Sequence, residues 1–144
     1  MYNSKLMEMF EQVDNAGFLR GADATGVFTL DNAEQSRIQI KVENNVITDA
    51  KFKTFGCIAS IVATSVATKL IVGKSLEEAR DLSVDELAQH FENIKVDMTH
   101  AYALAKKSIA DAVLDYQEKA RKAMVKLLKE NGDPIPDDLK KPLK

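Results

Sequence analysis

The spacing of apolar residues changes from helical to strand-like and back along the chain. Near the N-terminus, Leu6, Met9 and Phe10 recur at helical spacing behind Asn3, and this predicts a short first helix capped by that asparagine. Residues 14–26 are rich in glycine, asparagine and aspartate, which favour turns. We therefore expect a loop of some length before the first strand.

An alternating pattern in the middle of the chain predicts β-strands. It is clearest where Ile38, Ile40 and Val42 alternate with polar neighbours, and Asn44 and Asn45 then favour a turn. Strands are predicted at residues 27–30, 37–42 and 46–55, forming an antiparallel meander. On the third strand, four residues are expected to share one face: Val46, Thr48, Ala50 and Phe52.

Helical spacing returns after Gly56 and continues to Gly73, a residue typical of helix C-termini. Cys57 therefore lies where a strand gives way to a helix. Two capping boxes, at residues 75–78 and 83–86, predict two short helices after it. The whole pattern predicts an α+β fold with a three-stranded antiparallel sheet packed with helices.

A last apolar stripe runs from Thr99 to Glu130 and predicts one long helix. At 1.5 Å per residue it would be roughly 48 Å long, more than a compact domain of this size covers. We expect its final turns to project or to meet a partner. We assign residues 1–130 to one domain and residues 131–144 to a charged, proline-containing tail, expected to be extended and poorly ordered.

Composition narrows the classes of function. The chain has 144 residues, a size that suits one domain, and 45% of them are hydrophobic, as in an ordinary globular protein. A formal charge of -2 gives no overall attraction to nucleic acid or to an anionic membrane, so neither partner is expected. One cysteine forms no intramolecular disulfide, and residues 1–12 do not resemble a signal peptide, so a cytoplasmic location is expected.

Cys57 is the only cysteine, and two interpretations of it are open. A free cysteine is often a small buried apolar residue. At the first turn of a helix, however, unpaired N–H groups favour a thiolate, and Gly56 would let another group approach the sulfur closely. Such a thiol could bind a metal or accept sulfur.

Four stretches of the chain give a family resemblance. They read YNSKLMEMFEQVDNAG at residues 2–17, IKVENNVITDAKFKTFGCIASIVATS at 40–65, GKSLEEA at 73–79 and HAYALAKKSIADAVLDY at 100–116. Together with the order of the predicted elements, they resemble the iron-sulfur cluster scaffold family of IscU and the NifU N-terminal domain. The similarity covers roughly residues 2–118. The resemblance implies iron-sulfur cluster assembly and the family's α+β fold.

The resemblance also implies a site, built in the family from three cysteines, an acidic residue and a histidine. The middle cysteine is matched by Cys57, the acidic residue by Glu34 and the histidine by His100, while Asn32 and Ala101 stand where the other two cysteines would be. We expect Cys57 and His100 to bind iron or a cluster, with Glu34 as a third metal ligand. If the three converge, the mixed set would suit ferrous iron or zinc in a mononuclear site. A bridging cluster would need more ligands, such as Cys57 and His100 from each chain of a homodimer.

The resemblance also implies binding partners, namely a cysteine desulfurase or other iron-sulfur assembly proteins. The segment that would bind a dedicated Hsp70-type chaperone, residues 93–100, lacks both of the family's prolines, which weakens the expectation of that partner. We predict a scaffold-like protein rather than an enzyme. Two alternatives are a degenerate paralogue that binds assembly partners without a cluster and a relay that carries a persulfide on Cys57.

Overall fold

The structure is a computed structural model that describes residues 4–143, so the predicted cap Asn3 lies outside the described residues. The helices are α1 (Ser4–Glu11), α2 (Ile58–Ile71), α3 (Leu76–Arg80), α4 (Val84–Ala88), α5 (Thr99–Glu130) and α6 (Asp137–Lys140). A 3₁₀ turn, Gln89–Phe91, follows α4. The strands are β1 (Ala24–Thr29), β2 (Gln35–Glu43) and β3 (Val46–Phe55). The predicted α+β class and the long C-terminal helix are confirmed.

The three strands form an antiparallel sheet in the order β1-β2-β3. β1 begins at Ala24, three residues before the predicted start. The prediction missed this part of the strand because alanine and glycine are weak strand formers. Ala24 and Gly26 are nevertheless buried in the core. The pairing of β2 with β3 shifts by one residue next to Lys41, since Lys41 faces Asp49 but Val42 faces Ile47. This bulge leaves Thr48 without a partner residue and turns Ile47 into the core.

The bulge corrects one predicted strand face. Ala50 and Phe52 are buried as expected, but Val46 and Thr48 are exposed and Ile47 is fully buried in their place. A strict period of two cannot continue through a bulge, because the extra residue exchanges the two faces of the strand.

Helices α2 and α5 cover one face of the sheet and enclose the main core. Ile38 and Ile40 on β2 and Ala63 on α2 are completely buried there. The hydroxyls of Thr64 and Thr68 are also buried, and each donates to the carbonyl four residues earlier, at 2.7 and 2.6 Å. Most of the helix predicted from this stretch is therefore buried, although it carries several hydroxyl side chains.

Helix α5 lies close against the edge strand β1. At Gly26 an added Cβ would collide with the backbone at Ser108 and Ala112, so only glycine fits there. The carboxylates of Asp111 and Asp115 accept hydrogen bonds from the outward N–H groups of Val27 and Thr25, both at 2.9 Å. The edge of the sheet is thereby paired with α5, and the helix is fixed relative to the strands.

The tail differs from the extended, poorly ordered segment expected from its sequence. Residues 131–143 fold back along the end of α5 and include α6. The buried Glu118 forms an ion pair with the half-buried Arg121 at 2.7 Å. Arg121 Nη1 donates to the Leu139 carbonyl at 2.6 Å, and the Leu143 N–H donates to Glu118 at 2.7 Å. These bonds stabilise the tail, which we call the C-terminal strap (residues 131–143).

No helix between residues 4 and 143 is long and apolar enough to cross a membrane.

Candidate metal-binding site

Three side chains from separate parts of the chain meet at one end of the sheet. Glu34 ends the turn between β1 and β2, Cys57 precedes α2, and His100 lies in the first turn of α5. One carboxylate oxygen, the sulfur and one imidazole nitrogen all lie within 4.8 Å of one another. Cys57 Sγ is 3.3 Å from His100 Nε2, which is 3.5 Å from Glu34 Oε2. The convergence expected from the sequence is therefore observed.

The Glu34 carboxylate is held at the N-terminus of α2. Its Oε1 accepts from the backbone N–H of Cys57 at 2.9 Å and from the hydroxyl of Ser60 at 2.6 Å. Its Oε2 accepts from the Asn32 side-chain amide at 2.6 Å, while the Glu34 N–H donates to Asn32 Oδ1 at 3.1 Å. Four hydrogen bonds thus fix the side chain and its backbone, and they leave Oε2 on the side of His100.

These hydrogen bonds also set the charge of Glu34. Burial acts to raise the pKa of the carboxyl, but hydrogen bonds from Ser60, the Cys57 backbone and Asn32 outweigh burial and lower the pKa to about 2. Glu34 is therefore a carboxylate at neutral pH, which is the form that binds a cation.

Gly56 makes the approach of Glu34 to α2 sterically feasible. A Cβ at this position would collide with Glu34 Oε1. The sequence suggested that this glycine would let a group approach the sulfur, and the structure identifies that group as the carboxylate that binds the Cys57 N–H. The requirement is for space, since the backbone at Gly56 does not adopt a positive φ.

Cys57 is exposed, so the alternative of a small buried cysteine is wrong. Its sulfur lies 3.5 Å from the hydroxyl of Ser60, and the residue occupies the N-cap position of α2 with an extended backbone. His100 is partly exposed at 38% of its side-chain surface. Solution can therefore reach both side chains.

Sulfur, imidazole and carboxylate together form a set of ligands that suits zinc or ferrous iron. The positions implied for two further cysteines do not supply a ligand in their place. The side chain of Asn32 is hydrogen-bonded to Glu34. Ala101, the residue after His100, is completely buried and has no ligand atom in its side chain. Within one chain the site therefore offers one thiol, one imidazole and one carboxylate.

Sequence reasoning missed two contributions to this site. The sequence pattern did not single out Ser60, and it indicated Asn32 only as the replacement of a cysteine. Their contacts with Glu34 depend on the turn between β1 and β2 reaching α2. The one local signal was the position of Ser60, three residues after Cys57 and so on the same side of the helix.

The fold and this cluster define a class: a small α+β domain with a candidate mixed-ligand site between a sheet end and the starts of two helices. The model of the NifU-like N-terminal domain matches residues 1–123. The chain belongs to this family, as its sequence motifs predicted.

Relatives and solved structures agree with this assignment. Iron-sulfur cluster assembly scaffold protein IscU 1 of Archaeoglobus fulgidus is 36% identical over 122 residues, 83% of this chain and 78% of that protein. Iron-sulfur cluster assembly enzyme IscU of Drosophila melanogaster is 37% identical and covers 85% and 82% of the two chains. A NifU-like N-terminal protein of Brucella abortus has the same fold, with a TM-score of 0.62 at 18% identity over 81% of this chain and 94% of that one.

Proposed function

We propose that this chain is an iron-sulfur cluster assembly scaffold-like protein that holds iron, or a transient cluster, as its cargo. Glu34, Cys57 and His100 are the ligands in this proposal. The observation that carries it is the meeting of their ligand atoms within 4.8 Å, in a chain of a family whose relatives are named as assembly scaffolds.

The chemistry of the three groups supports transient binding of one metal ion. Four-coordinate metal sites that use three protein ligands keep one position for water or an incoming group. A scaffold needs such a position, because its cargo must arrive and leave. Binding requires a deprotonated thiol and a neutral imidazole, so loading releases protons and weakens as the pH falls. Zinc would fit the same ligands as iron.

The hydrogen bonds around Glu34 would keep the ligands in position when the metal is absent. Oε1 is engaged by Ser60 and by the Cys57 backbone, so Oε2 is the oxygen proposed to bind the metal. Such outer contacts orient a ligand and affect metal affinity by roughly 10–100-fold. The Asn32 amide hydrogen-bonds to Oε2 and would share that oxygen with the metal.

The proposal extends to partners and location. We propose that a cysteine desulfurase or another iron-sulfur assembly protein delivers to or receives from this site in the cytoplasm. The chain acts in this scheme as a carrier and not as an enzyme. A dedicated Hsp70-type chaperone is not included, because residues 93–100 lack both prolines of the implied binding segment.

Metal content and cobalt spectroscopy test the proposal. Protein purified without oxygen is analysed for iron and zinc, and the metal-free protein is titrated with Co²⁺, whose thiolate bond gives a charge-transfer absorption. We expect one metal per chain and that absorption. Cys57→Ala should abolish the absorption, and His100→Ala should weaken binding at least tenfold. His90→Ala is the matched control, because His90 is the other histidine and lies exposed after α4; it should leave binding unchanged.

Other outcomes would support the alternatives. Unchanged metal content in Cys57→Ala would contradict the proposed ligand set. A persulfide on Cys57 in metal-free protein would favour the sulfur relay, and partner capture that the Cys57→Ala variant retains would favour the binding module. A native mass of two chains for each bound iron-sulfur cluster would favour the homodimeric site.

A further inference from the structure

The face of the sheet opposite α2 and α5, which we call the outer face, is rich in positive charge. Alternate residues of β2 and β3 point there, because their neighbours Ile38 and Phe52 point into the core. The charged residues at the outward positions of these two strands are four basic ones, Arg37, Lys41, Lys51 and Lys53, and two acidic ones, Glu43 and Asp49. This basic face belongs to a chain whose formal net charge is -2.

Two of these cations lie directly opposite each other. Arg37 on β2 pairs with Lys53 on β3, and like charges at such positions destabilise a sheet. Among the described residues, neither forms an ion pair, and Arg37 Nε is buried without a hydrogen-bond partner. Buried N–H groups are nearly always paired in folded proteins. A carboxylate placed between the two side chains would offset the repulsion between their charges.

Apolar surface lies beside this pair. Phe55 is 63% exposed, Val27 is 42% exposed, and Val27 and Lys53 flank Arg37 on the neighbouring strands. Lys53 Nζ lies over the Phe55 ring, 5.4 Å from its centre. We call Val27, Arg37, Lys53 and Phe55 the basic-apolar patch. Exposed aromatic side chains next to arginine are typical of residues that carry binding energy in protein interfaces.

We propose that the basic-apolar patch docks a partner protein that presents carboxylates around an apolar side chain. Charge complementarity identifies this occupant: the carboxylates would lie between Arg37 and Lys53, and the apolar group would cover Phe55. Phe55 is two residues before Cys57, about 7 Å along the backbone. If the proposed function is right, the partner would stand beside the metal ligands and could exchange cargo with them.

The patch suits an acidic protein better than a nucleic acid or a membrane. Sheets that bind single-stranded RNA stack bases on two or three aromatic side chains, whereas Phe55 is the one aromatic residue at the outward positions of β2 and β3. Binding to polyphosphate surfaces also depends on many basic contacts, and here two cations surround an apolar centre. A small, charge-steered interface of this kind is typical of transient encounters.

An NMR titration of the full chain tests the proposal. The probe is a capped peptide of alternating glutamate and leucine, added to ¹⁵N-labelled, metal-free protein at low salt. We expect shifts centred on the amides of Val27, Arg37, Lys53 and Phe55, and affinity that falls at least tenfold between 50 and 300 mM salt, as about two or more charge contacts would give. Lys53→Glu should weaken binding at least tenfold.

The urea unfolding midpoint of Lys53→Glu separates a loss of peptide binding from a loss of folding. Lys53→Glu replaces a like-charge pair by an opposite-charge pair with Arg37, so its urea midpoint should rise while its binding falls. The matched control is Lys126→Glu, the same charge change on the exposed end of α5, which should leave peptide binding unchanged.

Three results would overturn the proposal: no shifts on the outer face, equal weakening by Lys126→Glu, or tighter binding of oligo-dT or phosphatidylglycerol vesicles at the same residues. The experiment uses no metal. Its failure would therefore leave iron binding by Glu34, Cys57 and His100 untouched, and failure of iron binding would leave the patch untouched.

Discussion

The Glu34 carboxylate contacts three parts of the chain at once: its own turn through Asn32, the first turn of α2 through Ser60, and the strand end through the Cys57 backbone. Glu34 is ionised at neutral pH, so a cation bound between Glu34 and Cys57, as proposed above, would meet a negative charge that is already in place.

Gly56→Ala tests the steric part of this arrangement. The added methyl group would displace the Glu34 carboxylate, so we expect a stability loss of about 1–3 kcal/mol and metal affinity lowered roughly 10–100-fold. Urea unfolding and the cobalt titration measure the two effects. In a Glu34→Ala background the same substitution should cost much less, because the group it collides with is gone. An equal cost in both backgrounds would contradict the explanation.

The lowered pKa of Glu34 predicts how stability depends on pH. A carboxyl whose folded pKa lies below its ordinary value of 4.5 stabilises the folded state above that value, and the contribution disappears as the pH falls toward about 2. The difference in unfolding free energy between the wild type and Glu34→Gln should therefore be largest above pH about 5 and shrink below it. Urea titrations across this range measure it. A difference that stayed constant below pH about 5 would contradict this role of Glu34.

At the scale of elements, α5 combines two tasks. Its first turn presents His100, and its middle turns hold the edge strand through Asp111, Asp115 and the close contact at Gly26. Because β1 leads through a short turn to Glu34, the same helix that carries one proposed ligand also restrains the strand leading to another. The distance between His100 and Glu34 is in this way set by helix-to-strand packing.

Asp111→Ala tests the pairing of α5 with β1. It removes the acceptor of the Val27 N–H, so we expect faster amide exchange at Val27 and a stability loss of about 1 kcal/mol. Exchange at Thr25 should change less, because its acceptor Asp115 remains. Asp133→Ala, in the exposed part of the strap, is the control and should alter neither measurement. Unchanged exchange at Val27 would count against this role of Asp111.

The sequence predicted elements better than it predicted contacts between them. Periodicity located β2, β3, α2 and α5 because each has a face buried along its length. It failed at Thr48, where the bulge exchanges the two faces, and at the strap, where polar residues are ordered by the ion pair of Glu118 with Arg121. The family resemblance indicated all three candidate ligands. It did not indicate Ser60, whose contact joins positions 26 residues apart.

For the molecule as a whole, the C-terminal strap extends a domain that the family model ends at residue 123. The Arg121 hydrogen bond lowers the pKa of Glu118 to about 2, with further lowering by the Leu143 N–H, so the pair remains charged down to acid pH. The strap and α5 enclose a cleft of about 470 Å³ lined by Ala120, Met124 and Leu139 among others. The strap thus covers one side of α5 near Glu118 and Arg121, while Leu127 in the last turns remains 52% exposed.

Truncation after residue 130 tests whether the strap is separate from the site. We expect iron and cobalt binding to be unchanged, since no strap residue contacts Glu34, Cys57 or His100 in residues 4–143. Amide protection around Glu118 and Arg121 should fall, because both side chains lose their hydrogen bonds to the strap. Arg121→Ala should give the same loss of protection, and Lys122→Ala, an exposed neighbour, should not. Weaker metal binding after truncation would contradict the boundary proposed at residue 130.

Because Cys57 is a single exposed thiol, its reactivity can report whether the candidate metal site is occupied. A maleimide can attach to Cys57 and to no other side chain of this kind, because the sequence has one cysteine. A metal bound to that sulfur would protect it, so the rate of alkylation measures occupancy of the site directly in unmodified protein. The same solitary thiol gives oxidation a simple product: it has no partner within its own chain, and a disulfide would join two molecules at their sites.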